Sequence, residues 1–97
     1  MIRHLVLFKL NDGVTKDDPR VPAAVAAFEK VGTTVPQLRE WQIGWNVTER
    51  DIAYDFAINS LVEDREALQA YLTHPDHVAA AGLWREFATW VIADFEV

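Results

Sequence analysis

The sequence predicts an α+β fold in which a four-stranded antiparallel sheet is laid against helices in the order βαββαβ. Three observations carry that expectation. Apolar residues alternate with period two over residues 2–10, 54–62 and 90–97. They recur at helical spacing at Val21, Val25, Phe28 and Val31, and again at Ala67, Leu68, Tyr71 and Leu72. Turn-forming or proline-containing breaks separate these stretches, so each is one element rather than part of a longer one.

The first strand, residues 2–10, places Ile2, His4, Val6, Phe8 and Leu10 on one side and Arg3, Leu5, Leu7 and Lys9 on the other. Both sides carry apolar residues, so both are expected to be covered. Asn11-Asp12-Gly13 ends the strand. Asp17 and Asp18 offer an N-cap with Pro19 at the first helical position, which predicts a helix over 19–31 with Gly32 as a left-handed stop. Pro22 falls in the first turn, where no intrahelical N–H bond is lost. A second strand is predicted over 38–48, with Trp41 and Trp45 on one face and Gly44 as a bulge. The polar turn Glu49-Arg50-Asp51 joins it to the strand 54–62 as a hairpin.

Glu63-Asp64 caps a second helix. His74 precedes Pro75 and is pushed out of helical geometry, which ends that helix. Pro75 starts a third helix with His77, Val78, Ala81 and Trp84 along one side, and residues 90–97 form the last strand. This is the split βαβ arrangement called ferredoxin-like. No repeat, low-complexity tract or linker interrupts it, so residues 1–97 are expected to be a single domain.

Composition narrows the function. The net charge of −6 comes with no cluster of Lys and Arg, which excludes phosphate-driven nucleic-acid binding and disfavours anionic membranes. With no cysteine there are no disulfides, thiolate nucleophiles or sulfur-ligated metals. The N-terminal apolar run is broken by Lys9 and lacks a cleavage site, which reads as a cytoplasmic protein without a membrane span. Four Trp, five Phe and two Tyr are generous for 97 residues. The sheet face away from the helices should expose Leu5, Leu7, Ala57 and Leu61, with Asp55 and Asn59 as polar contacts. Pairing two such faces would remove that carbon from water, so a homodimer is expected.

The densest chemistry is His74-Pro75-Asp76-His77, one helical turn after Tyr71. If the His4 side of the first strand faces the helices, one hollow would be ringed by His4, Tyr71, His77 and His74. Phe8, Phe28, Phe56, Ile58, Leu68, Val78 and Trp84 would supply its apolar walls, the usual make-up of a small-molecule site. His77 would sit in the first turn of a helix, where the dipole and burial both disfavour imidazolium. A neutral imidazole can take a proton from an enol or acidic carbon while Tyr71 polarises the developing oxyanion. The plainer alternative is a buried histidine bonded to a carbonyl and a His-Pro turn that serves only the helix junction. A metal held by His74 and His77 would need Asp76 or Asp94 to join it, and no zinc-helix spacing is present.

The opening Ile2-Arg3-His4-Leu5-Val6-Leu7-Phe8-Lys9, Trp45-Asn46-Val47 leading to Tyr54-Asp55, the Tyr71-Leu72-Thr73-His74-Pro75-Asp76-His77-Val78 segment and the closing Ala93-Asp94-Phe95 together resemble the stress-responsive A/B barrel (Dabb) family. The resemblance spans essentially the whole chain. It implies a ferredoxin-like homodimer whose two sheets close into a central α/β barrel. The family includes cofactor-free polyketide cyclases of the olivetolic acid type, which implies catalytic roles for Tyr71 and His77, a pocket role for His4 and no cofactor. Three functions stay open: an enzyme doing cofactor-free acid–base chemistry, with a cofactorless monooxygenase as a variant; a non-catalytic binder of a small apolar or aromatic ligand; and a structural dimer.

Overall fold

In the computed structural model, which describes residues 1–97, seven elements follow along the chain. They are β1 (Ile2–Leu10), α1 (Val21–Thr34), β2 (Glu40–Trp45), β3 (Phe56–Val62), α2 (Arg65–Thr73), α3 (Pro75–Arg85) and β4 (Ala88–Glu96). The strands form one antiparallel sheet in the order β2-β3-β1-β4, the ferredoxin-like arrangement that the sequence predicts. Register runs without interruption, with His4 opposite both Ser60 and Asp94 and Phe8 opposite both Phe56 and Trp90. Because side chains alternate along a strand, this puts Ile2, His4, Val6 and Phe8 on the face beneath the helices. All four are buried.

The core lies between that face and helices α1 and α3. Trp84 is fully buried: its ring stacks on Phe56 at 4.6 Å between centroids and lies 4.8 Å from Phe8. Its indole N–H donates to the Ala24 carbonyl at 2.9 Å, so burying the large ring leaves no polar atom unpaired. Ala24, Phe28 and Val31 are the buried stripe of α1, at helical spacing. No helix is long and apolar enough to cross a membrane.

Several local expectations are corrected. Helix α1 begins at Val21, not Pro19, because the Asp18 carboxylate is taken up by Arg20 (Nε at 2.9 Å) instead of capping, and Arg20 itself stands at the N-cap. The helix then runs through Gly32 to Thr34. Gly32 is not a left-handed stop: the one glycine with positive φ is Gly13, at 83°. Its role is close approach, since a Cβ at position 32 would sit 2.6 Å from Nε1 of Trp41. Gly44 makes no bulge and pairs regularly with Ala57. Asp55 does not face the open side of the sheet. It ends the hairpin by accepting from the Leu10 N–H (2.8 Å), while its own N–H donates to the Phe8 carbonyl (2.8 Å).

The predicted inner side of α3 was also rotated in part. Val78 is 56% exposed, and the residues that pack inward with Trp84 are Ala80 and the His77–Ala81 pair. The true stripe is i, i+3, i+4, i+7, and its second member is an alanine too small to register as an apolar signal.

The junction between α2 and α3 is a single residue. His74 has φ −60° and ψ 136°, closes α2, and caps α3 by accepting the Asp76 N–H on Nδ1 at 3.1 Å. Pro75 then supplies a first helical residue whose missing N–H costs nothing. At the other end of α2, the Asp64 carboxylate caps through the Ala67 N–H at 2.8 Å, a contact of a kind that stabilises by about 1 kcal/mol.

Candidate functional site

Beside the core, a cavity of about 160 Å³ opens between α3 and the sheet at the β4 edge. Most of its lining is apolar, from Val6, Phe8, Phe28, Ile58, Leu72 and Trp90 among others, and the polar groups that reach it are His4, His77 and Arg85. Its mouth follows from the topology. Ile92 belongs to the helix-facing side of β4, opposite Val6, yet it is 55% exposed because no helix covers that edge strand completely.

His4 is carried into this layer by β1 and is 2% exposed. Its Nδ1 meets the Asp94 carboxylate of β4, its direct cross-strand neighbour. A carboxylate only accepts, so Nδ1 holds the proton and Nε2 is the atom left for other contacts.

His77 stands on the first turn of α3, with Nδ1 2.9 Å from the Leu72 carbonyl. The carbonyl is an acceptor, so His77 carries its proton on Nδ1 and, when neutral, a lone pair on Nε2. Burial pushes its pKa below the ordinary value of 6.5; the Leu72 bond works the other way, and the nearby His4 and His74 add to the lowering. Asp76, which could have opposed this, turns to α1. Its carboxylate accepts from Thr34 Oγ1 at 2.7 Å and lies 3.7 Å from Lys30 Nζ. The Thr34 hydrogen bond and then Lys30 hold Asp76 below the usual carboxylate range.

Tyr71 projects from α2 between the two histidines, edge-on to both, with ring centroids 5.5 Å from His4 and 4.8 Å from His77. It is fully buried. Burial raises its phenol pKa above the usual value and the Asp94 charge adds to the rise. The Ser60 hydroxyl moderates that shift, but it is aimed at the His4 carbonyl (3.4 Å), and the phenol oxygen has no hydrogen-bond partner.

The structure therefore brings His4, Tyr71 and His77 together and places His4, His77, Phe8, Phe28 and Ile58 on the cavity. Other residues expected there lie elsewhere. Phe56 and Trp84 are in the core behind it, Leu68 faces a separate surface hollow near Arg65 and Phe95, Val78 is outside on α3, and His74 is spent on capping. Tyr71 lies behind the cavity surface rather than on it. No group of three or more His, Asp or Glu side chains is placed to hold a metal. Asp94, Leu72, Ala81, Arg85 and Trp90 are additions to the site. The register pairing His4 with Asp94 was the one signal that could have revealed the first of these.

The chain matches the Stress responsive A/B Barrel Domain family, Dabb, over residues 2–97. It belongs to that family. It is similar to an uncharacterised protein of Streptomyces coelicolor, 64% identical over 96 residues that cover 99% of both chains. It is more distantly similar to the olivetolic acid cyclase of Cannabis sativa, 23% identical over 88 residues covering 89% of this chain and 85% of that one. Among solved structures, a dimeric ferredoxin-like protein from Thermobifida fusca superposes with a TM-score of 0.86 at 31% identity, covering 99% of this chain and 90% of that one. A hydroxynitrile lyase from Passiflora edulis shares the fold at a TM-score of 0.81 and 14% identity, covering 99% of this chain and 92% of that one.

Proposed function

We propose that the cavity binds a small aromatic or enolisable molecule and that His77 removes a proton from it without a cofactor. One observation carries this reading: the Leu72 carbonyl fixes the His77 proton on Nδ1, which leaves the other ring nitrogen as a base on a residue that lines the cavity. The depressed pKa keeps that base unprotonated at neutral pH. Tyr71 stays a neutral phenol with an unused O–H next to the same imidazole, suited to hold negative charge developing on oxygen. His4, oriented by Asp94, completes the polar side. That two relatives of this fold are named as a cyclase and a lyase supports acid–base chemistry of this kind.

The working unit is proposed to be a homodimer joined through the open sheet face. Leu7, Val91 and Phe95 lie on that face and are each 46% or more exposed, and related solved structures are dimeric.

A screen of small phenolic and β-keto compounds by thermal shift tests the binding, and turnover of any hit by His77→Gln tests the chemistry. A broad screen without stabilisation would overturn the reading. A second reading, a binder without turnover, is favoured by the position of Tyr71 behind the cavity surface. Hits that bind but are never consumed would select it.

A further inference from the structure

We infer that Arg85 selects ligands carrying a carboxylate, held at the mouth of the cavity while the ligand's carbon body lies inside; this rests on the proposed use of the cavity as a binding site. Arg85 is the only charged residue among those lining the cavity. In a chain of net charge −6, a lone cation at the mouth of a mostly apolar hollow sets the local preference against the field of the whole protein.

The guanidinium is held but not used. It lies over the Trp90 ring, 5.0 Å from the centroid, and forms none of the six ion pairs of the chain. It makes no side-chain hydrogen bond either, whereas Arg3, Arg20 and Arg39 each engage a carboxylate. A guanidinium over an indole face still has N–H groups to offer, and these can meet a carboxylate with two parallel hydrogen bonds. Its place in the last turn of α3, at the negative end of the helix dipole, stabilises the charge without occupying those groups.

Spacing sets the size of the ligand. His77, Ala81 and Arg85 occupy positions i, i+4 and i+8 of α3, one face of the helix, so the backbone positions of the base and the cation are about 12 Å apart. Ala81 between them leaves the space that a larger side chain would fill. A hollow of about 160 Å³ suits one aromatic ring, since an apolar cavity of about 150 Å³ takes up benzene. A ring with an ionisable hydroxyl or keto group at one end and a carboxylate at the other fits both ends of that face.

The test is calorimetric binding of 4-hydroxybenzoate and its uncharged analogue 4-hydroxybenzamide to the intact protein, its Arg85→Met variant and its Arg85→Lys variant. The expected result is a preference for the carboxylate of about tenfold in the natural protein, the order of one charge-assisted bidentate contact. That preference should vanish in Arg85→Met, survive in part in Arg85→Lys and shrink with added salt. Equal binding of both compounds, unchanged by Arg85→Met, would overturn the role of Arg85 and leave the pocket reading standing. Binding of neither would overturn both.

Discussion

The Nδ1 atom of His77 sits 2.9 Å from the carbonyl oxygen of Leu72, five residues earlier and in the last turn of the preceding helix. That bond uses one of the carbonyls a helix end leaves unpaired, and it decides which nitrogen of the imidazole is left over. The same atom pair that closes the helix end would, on the proposed mechanism, also set the base.

Replacing His77 by Gln separates the two. Glutamine can still donate an N–H but offers no base, so turnover of a substrate found by screening should fall by about 10²–10⁴-fold, the usual worth of a general base. The melting temperature should stay nearly constant. A collapse of the fold on substitution would show instead that the histidine is architectural.

Acid should weaken the protein through the same residue. The folded pKa of His77 lies below 6.5, its ordinary and unfolded value, because burial disfavours the charged ring. Between the folded pKa and 6.5 the unfolded chain binds the proton first, so stability is fully present above 6.5 and declines as pH falls through that window. Denaturant titrations from pH 7.5 down to 5 should show this slope, and it should be shallower in His77→Gln.

Tyr71→Phe should be neutral or stabilising. The phenol oxygen is buried with no partner, and an unsatisfied buried hydroxyl costs roughly 1–3 kcal/mol that phenylalanine does not incur. On the proposed mechanism activity should move the other way and drop, because the phenol proposed to hold the developing oxyanion is gone. Stability measured by chemical denaturation and activity measured on the same sample should therefore diverge.

Gly32→Ala should destabilise despite the better helix propensity of alanine. Propensity alone would favour alanine by about 1 kcal/mol in a helix interior. The new methyl, however, would be driven into the Trp41 indole, and overpacking of this kind costs typically about 1–3 kcal/mol. The same change combined with Trp41→Leu should recover much of the loss in a thermal melt.

Disruption of the open sheet face should split the proposed homodimer. Leu7 and Val91 are direct cross-strand neighbours there. Leu7→Glu, which buries a charge if two such faces meet, should convert the proposed dimer to monomer in sedimentation velocity while leaving far-UV circular dichroism unchanged. An unaltered sedimentation coefficient would point to another interface.

The sequence made the frame legible because period-two and helical patterns survive in it almost unbroken. The first strand showed its two alternating sides but not which of them, the Ile2, His4, Val6 and Phe8 side or the other, meets the helices, whereas His74-Pro75 marked the helix break to the residue. What stayed hidden depended on partners distant in the chain. Asp94 has no partner visible in the sequence until the register places it beside His4, 90 positions away. Gly32 reads as a stop until Trp41 is seen against it. The cavity walls were partly misassigned for the same reason. Apolar character does not distinguish Trp84, committed to the core, from Trp90, which lines the opening.

With a lone residue joining α2 to α3, the joint has no slack. Adding or deleting one amino acid there would swing everything downstream by roughly 100° about the α3 axis, given 3.6 residues per turn. The imidazole of His77 would leave its carbonyl and point elsewhere. A single-residue indel at this junction would therefore displace the site and also pull β4, which lies downstream, against its pairing with β1.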